Sequence, residues 1–133
     1  MKTEGGRLKL RLSVLPGSFA ICRLGASDAV PAWAMRGAFF TITRTAEELS
    51  IVCEEALAPA AIQAERGWRG LKLHGPIPFE TTGVIASLTR PLAEAGISVS
   101  PIATYDTDYL LVKNETLAAA VKALRSAGFE VEG

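Results

Sequence analysis

The chain has 133 residues, of which 49% are hydrophobic, and 14 basic residues balance 14 acidic ones to give a formal net charge of zero. No cluster of Lys and Arg marks a surface for phosphate contacts, which argues against nucleic acid as a partner, and no apolar run reaches the roughly 18 residues of a membrane-spanning helix. The first residues lack the apolar core of a signal peptide, so we expect a cytoplasmic protein without membrane contact.

The first half of the chain is predicted to contain four short strands and two short helical segments. Between residues 8 and 15 apolar and polar residues alternate with period two, which is typical of a half-buried strand. Similar runs bounded by turn residues predict the other strands, and Pro59 is typical of the first turn of a helix. In chain order the further elements are a strand over 18–24, a helical turn over 32–36, strands over 38–43 and 49–53, and a helix over 57–65.

The second half carries a clearer pattern of strands and helices. Apolar residues recur at helical spacing, as at Val84 and Leu88, and both predicted helices stop at a glycine, Gly96 or Gly128. Pro91 predicts a kink in the first helix or the start of a second segment. The elements are a strand over 71–74, a helix over 82–95, strands over 97–104 and 109–113, a helix over 115–127 and a strand over 129–132. This βαββαβ order predicts a split antiparallel sheet with both helices on one face.

The order of elements in the first half echoes that in the second, which we interpret as a degenerate repeat. The predicted fold class is therefore α+β, with two ferredoxin-like βαββαβ modules in tandem: an N-terminal module over 1–66 and a C-terminal module over 67–133. Since a half of about 60 residues would be marginally stable alone, we expect the two modules to pack on each other.

Two runs of the second half point to a known family. Gly-Pro-Ile-Pro-Phe-Glu-Thr-Thr-Gly-Val-Ile-Ala begins at residue 75, and Ser-Pro-Ile-Ala-Thr-Tyr-Asp-Thr-Asp-Tyr-Leu-Leu-Val begins at residue 100. The segment 75–113 resembles an ACT domain. Nearly the whole chain is similar to bacterial tandem ACT proteins related to the eukaryotic cytosolic arginine sensors, the first half through the run over 39–52. The resemblance implies a regulatory role, in which an amino acid binds at an interface between two modules and the signal passes to an enzyme or another partner.

The resemblance also implies site residues. Thr104, Tyr105 and Asp108 match a Thr-aromatic-x-x-Asp run that contacts the ligand in the arginine sensors. Gly83 matches the glycine before the first helix of the family, while Thr82 stands where the family usually has proline.

The chemistry of these residues suits an amino acid zwitterion. The first N–H groups of the helix, around Gly83, lack intrahelical partners and favour a carboxylate. Gly83 lets a ligand approach the backbone; alternatively, it only lets the helix pack against the sheet. Asp108 is expected to bind the ammonium or a cationic side chain, the alternative being an ordinary Asp-rich turn with Asp106. We expect that turn to meet a helix start only across a neighbouring module. The predicted ligand-binding residues are Thr81, Thr82, Gly83, Val84, Thr104, Tyr105 and Asp108.

No pattern in the sequence predicts an enzyme, a metal site or a cofactor. Cys-x-x-Cys, His-x-x-x-His and glycine-rich phosphate loops do not occur. Cys22 and Cys53 lie in apolar runs and are expected to be reduced and buried. A catalytic pair of Cys22 with His74 is an alternative without support from spacing.

The sequence thus predicts a regulatory protein that binds a free amino acid at the seam between two modules. The expected partners are that amino acid and either a second copy of the chain or a regulated protein. The alternative is an interaction module without a ligand, in which the sheets serve assembly alone. In that case Asp106 and Asp108 would point to bulk solvent.

Overall fold

The computed structural model describes residues 3, 4, 7, 8 and 10–133. Three short 3₁₀ turns lie at Ala32–Met35, Glu55–Leu57 and Asn114–Thr116. The α-helices are α1, Val84–Glu94, and α2, Leu117–Ser126. The strands are β1 (Thr3–Glu4), β2 (Arg7–Leu8), β3 (Arg11–Val14), β4 (Phe19–Leu24), β5 (Thr41–Arg44), β6 (Leu49–Glu54), β7 (Ala64–Leu73), β8 (Val99–Ala103), β9 (Asp108–Lys113) and β10 (Glu130–Glu132). Residue 9, which the predicted strand over 8–15 includes, lies outside the described residues.

The chain divides into two compact units. The larger unit contains residues 1–16 and 69–133, and the smaller unit contains residues 17–68. The break at 68/69 lies close to the predicted module boundary at 66/67. However, residues 1–16 belong with the C-terminal segment rather than with the N-terminal module. The physical reason is strand pairing, because β3 pairs with the last residues of β7 and with β10.

The sheet of the larger unit has the order β10-β3-β7-β9-β8. β3 is antiparallel to β7 and parallel to β10, with Leu12 opposite Leu73 and Val131. In a split βαββαβ sheet the first and last strands would be neighbours. Here β3 is inserted between them, so a strand from the start of the chain completes the sheet.

Both helices of the larger unit pack into one core with this sheet, as the sequence predicts. α1 contributes Val84, Leu88 and Leu92, and α2 contributes Ala120 and Leu124. These helices begin and end within two residues of the predicted positions. α1 continues through Pro91 to Glu94 as one helix, so no second segment begins at the proline; the kink stays a prediction.

In the smaller unit the strand order is β7-β4-β6-β5, with every neighbouring pair antiparallel. This order is that of a split βαββαβ sheet, with 3₁₀ turns in the helix positions. The predicted helix over 57–65 is wrong. Glu55–Leu57 forms a 3₁₀ turn, and a separate turn follows in which the Ile62 N–H donates to the Pro59 carbonyl oxygen at 3.2 Å. The carbonyl oxygen of Gln63 already accepts a 2.9 Å hydrogen bond from the backbone N–H of Arg23. Pairing with β4 therefore overrides the helix propensity of the Ala-rich run.

Candidate functional site

A hollow of about 310 Å³ opens in the larger unit beside the start of α1. Its wall combines the loop before α1, the first residues of α1, the end of β8 and the turn between β8 and β9. Six of the seven predicted site residues line it; Thr82 is exposed and does not. The lining residues are Ile77, Pro78, Phe79, Thr81, Gly83, Val84, Ile85, Ala103, Thr104, Tyr105, Thr107 and Asp108.

Hydrogen bonds tie the turn between β8 and β9 to the loop before α1 and to the end of β7. The backbone N–H of Ile77 donates to the carbonyl oxygen of Asp106 at 2.7 Å. The Thr107 hydroxyl, in a side chain that is 6% exposed, donates to the carbonyl oxygen of Leu73 at 2.8 Å. The turn thus meets the helix start within one unit, whereas the sequence predicted contact only across a neighbouring module.

The turn itself is closed by two threonines. The Thr104 N–H donates to the Thr107 carbonyl at 2.8 Å, and the Thr107 N–H donates to the Thr104 hydroxyl oxygen at 3.2 Å. Sequence reasoning identified Thr104 but missed Thr107. The Thr-x-x-Thr spacing over 104–107 is the signal that could have identified it, because Thr side chains close such turns by bonding backbone groups.

Gly83 precedes α1 in the left-handed region, with φ of 77° and ψ of 6°. A Cβ built on Gly83 would meet nothing within 4 Å, so the interpretation that glycine is needed for helix–sheet packing is wrong. The glycine is required by its φ. Its carbonyl oxygen accepts the first helical hydrogen bond, from Ser87 at 2.9 Å, and the next N–H groups, beginning with Val84, have no helical acceptor.

Asp108 brings a partly buried carboxylate to the hollow. It is the first residue of β9 and lies opposite Ala103. Burial raises the pKa of its carboxyl above the ordinary value. In the described part of the chain the Asp108 carboxylate has no hydrogen-bonding or ionic partner, whereas Asp106 is exposed and outside the lining.

Two aromatic side chains stand at the mouth of the hollow. Phe79 and Tyr105 make an edge-to-face contact with centroids 4.9 Å apart, and they are 71% and 81% exposed. Sequence reasoning identified Tyr105 but missed Phe79, although its place in the quoted Gly-Pro-Ile-Pro-Phe run was available as a signal. A second hollow of about 280 Å³ shares both rings and is lined by the acidic residues Glu80 and Asp106.

The other reactive residues lie outside this hollow. His74 Nε2 contacts the Ser13 hydroxyl oxygen, and neither residue lines the hollow. Cys22 and Cys53 are buried free thiols; burial raises the pKa of Cys53 to about 12 and raises that of Cys22. Both therefore carry their protons at neutral pH, which makes them poor nucleophiles.

The described residues contain neither a set of metal ligands nor a helix that could span a membrane. Within them, no three His, Cys, Asp or Glu side chains come together as a set of metal ligands. Neither α1 nor α2 has the length and hydropathy that crossing a bilayer requires.

Comparison with known proteins agrees with this geometry. The ACT domain family matches residues 63–126, which include every lining residue, and an N-terminal domain family matches residues 17–61. A crystal structure of an Agobacterium tumefaciens protein is 40% identical and superposes with a TM-score of 0.88, covering 93% of this chain and 92% of that one. The human cytosolic arginine sensor for mTORC1 subunit 1 is 31% identical over 97 residues, which are 65% of this chain.

The matches differ in identity and in the share of each protein that they cover. The chain spans about 30% of the length of the curated relatives that it matches. The ligand-bound aspartokinase III of E. coli, at 15% identity and a TM-score of 0.61 over 90% of this chain and 33% of that one, shares the fold alone. The ACT match covers the elements from β7 to α2 and ends before β10. Residues 63–126 therefore belong to the ACT-domain family.

Proposed function

We propose that this chain is a regulatory protein that binds a free amino acid in the hollow of its larger unit. One observation carries the proposal: a helix start and a partly buried carboxylate, which has no partner among the described residues, line the same hollow. These two features have opposite electrostatic character, and a zwitterion carries the matching pair of charges. No chemical step follows from them, so the proposed role is reversible binding.

The ligand carboxylate would accept hydrogen bonds from the free N–H groups at the start of α1, beginning with Val84, where the helix dipole also favours negative charge. The ammonium would donate to Asp108, forming charge-assisted hydrogen bonds. Hydroxyl groups of Thr81 and Thr104 lie in the same lining. We expect dissociation constants between about 1 μM and 1 mM, which correspond to roughly −8 to −4 kcal/mol.

The relatives support the proposal of a regulatory role. Curated relatives are named as arginine sensors, and two structures with the same fold are regulatory subunits of aspartate kinases. We extend to this chain the role of a non-enzymatic, cytoplasmic sensor that acts on a second protein or on a second copy. The strand order β7-β4-β6-β5 supports the proposal that the smaller unit is a degenerate second ACT-like module.

The ligand position at an interface between two modules, which the sequence predicts, remains part of this proposal. The hollow is open, and Phe79 and Tyr105 are exposed at its mouth. A neighbouring module in an assembly would cover these rings and enclose a bound ligand. In this arrangement the larger unit alone supplies both charged contacts, and the neighbour supplies the cover.

Thermal unfolding in the presence of each of the twenty amino acids tests the proposal. A ligand at 100 times its dissociation constant stabilises the native state by about 2.7 kcal/mol, so a match should raise the melting temperature by several degrees. Asp108→Asn keeps the side-chain shape and should remove the shift. Asp106→Asn, a change of the same kind at an exposed residue outside the lining, should retain it. No shift with any amino acid at millimolar concentration would contradict the proposal.

The exposed aromatic pair also favours a second candidate, an interaction module without a ligand. Phe79 and Tyr105 offer apolar surface of the kind found in protein interfaces. This candidate predicts that the chain self-associates equally well with and without amino acids, and that Phe79→Ser abolishes association. Sedimentation of the wild type and of the variant distinguishes the two candidates.

A further inference from the structure

The charges that line the hollow restrict the side chain of the ligand. Among the lining residues, all of which the structure describes, Asp108 is the one with a charged side chain. Together with the start of α1 it matches one ammonium and one carboxylate. A further ligand charge would therefore have no opposite charge in this wall, and burying an unpaired charge is costly.

Apart from three threonines and the Tyr105 hydroxyl, the side chains of the rest of the wall are apolar. Ile77 is partly buried and packs against the core of the larger unit, whereas Ile85, Phe79 and Tyr105 are 37%, 71% and 81% exposed. These exposed apolar side chains line the hollow together. A ligand with an apolar side chain would remove part of their surface from water, which is favourable. The volume of about 310 Å³ is at the lower end for small-molecule sites and suits a ligand of amino acid size.

We infer that the hollow selects amino acids with uncharged, apolar side chains, of the leucine, isoleucine, methionine and phenylalanine kind. This inference rests on the proposed function and assigns the class of ligand for the same site. Asp108 binds the ammonium, the start of α1 binds the carboxylate, and the side chain lies against Ile85 and the Phe79–Tyr105 pair. Burial of such a side chain favours these ligands over alanine by on the order of tenfold or more.

A cationic ligand is the main competitor, and the structure shows where it would find support. Glu80 and Asp106 line the neighbouring hollow, on surfaces that share Phe79 and Tyr105 with the first. A long side chain with a positive charge would have to reach these exposed carboxylates beyond the aromatic pair. Exposed ion pairs contribute little to binding, so the apolar class is favoured.

Calorimetric titration of the wild-type chain with single amino acids decides between the classes. We expect heat of binding and a raised melting temperature with leucine, isoleucine, methionine or phenylalanine, and neither effect with arginine, lysine, aspartate or glutamate. Binding of a charged amino acid without binding of an apolar one would overturn this inference and leave the proposed function intact. Binding of none of the twenty amino acids would overturn both.

A charge introduced into the wall gives an independent test. Ile85→Glu places a carboxylate in the first turn of α1, where the helix dipole tolerates it. It should weaken binding of the apolar ligand by on the order of tenfold or more and shift the preference toward lysine and arginine. Ala86→Glu is the matched control, because it adds the same charge one residue away at an exposed position outside the lining. Equal weakening in both variants would overturn the placement of the side chain against Ile85.

Discussion

The backbone N–H of Ile77 donates a 2.7 Å hydrogen bond to the carbonyl oxygen of Asp106. This bond joins the loop before α1 to the turn between β8 and β9, which lie about 30 residues apart in the sequence. Because of it, the helix start and Asp108 line one hollow instead of separate surfaces. The acidic turn therefore has a defined place relative to the helix, which an ordinary solvent-exposed hairpin turn would lack.

Thr107 ties the same turn to the last residue of β7, and removal of its hydroxyl should loosen the site. Thr107→Val keeps the side-chain volume but deletes the hydroxyl that donates to the Leu73 carbonyl at 2.8 Å. Leaving a buried acceptor without its donor costs about 1–3 kcal/mol. We expect the free energy of unfolding, measured by urea titration, to fall by this amount and amino acid affinity to fall with it.

Thr89→Val is the control for Thr107→Val. It removes a hydroxyl that bonds the Ile85 carbonyl at 2.8 Å on the exposed side of α1. Surface changes of this kind alter stability by no more than about 0.5 kcal/mol. An equal loss in both variants would show that the tie to Leu73 has no special role.

Gly83 should be sensitive to backbone conformation rather than to side-chain volume. With φ of 77°, Gly83→Ala places an L side chain in the left-handed region, which costs roughly 1–2 kcal/mol. Gly83→Asn has a larger side chain but tolerates this region better. Thermal unfolding should therefore rank Gly83→Asn above Gly83→Ala. The reverse order would indicate that space, not φ, limits this position.

Patterns among neighbouring residues predicted the parts of the larger unit that interactions between residues close in the sequence determine. Apolar spacing and terminal glycines located α1 and α2 within two residues, and the family match located Gly83 and Asp108. The insertion of β3 beside β10 had no such signal, because Arg11 and Glu130 meet only through long-range pairing. The contact between Ile77 and Asp106 likewise joins residues that are distant in the sequence. For this reason the sequence-based prediction expected the turn to meet a helix start only in a neighbouring module.

The insertion of β3 makes Arg11–Val14 part of the sheet of the larger unit. Leu12 is fully buried in the core that also contains α1 and α2. Leu12→Ala should lower the free energy of unfolding by about 2–5 kcal/mol, because it leaves a cavity under both helices. Urea unfolding monitored by far-UV circular dichroism measures the change.

Arg11→Ala is the neighbouring control on the opposite face of the same strand. Arg11 forms exposed ion pairs with Glu130, at 3.1 Å, and with Glu132, and such pairs add little stability. A small effect is therefore expected. If Leu12→Ala were as mild as Arg11→Ala, β3 would not be an integral strand of the larger unit.

The Asp108 carboxylate should lower the free energy of unfolding of the ligand-free protein at neutral pH. Burial raises the pKa of its carboxyl in the folded state above the unfolded value of about 3.9. Between these two pKa values the folded state binds more protons than the unfolded state, so the free energy of unfolding falls as the pH rises. Asp108→Asn removes this cost and should be more stable than the wild type at about pH 7, whereas near pH 3 the two should be alike.

A bound amino acid should reverse the order of stability of the wild type and Asp108→Asn at neutral pH, because its ammonium would stabilise the ionised carboxylate. The affinity of the wild type for the amino acid should therefore decrease as the pH falls through the pKa of Asp108. The Asp108→Asn variant is more stable without ligand, but the amino acid should not stabilise it further. Urea unfolding of the wild type and of Asp108→Asn at the two pH values, each with and without the amino acid, measures these differences in stability. Lower stability of Asp108→Asn than of the wild type at neutral pH, in the absence of ligand, would mean that the carboxylate already has a stabilising partner. The hollow would then lack the free negative charge on which amino acid binding depends.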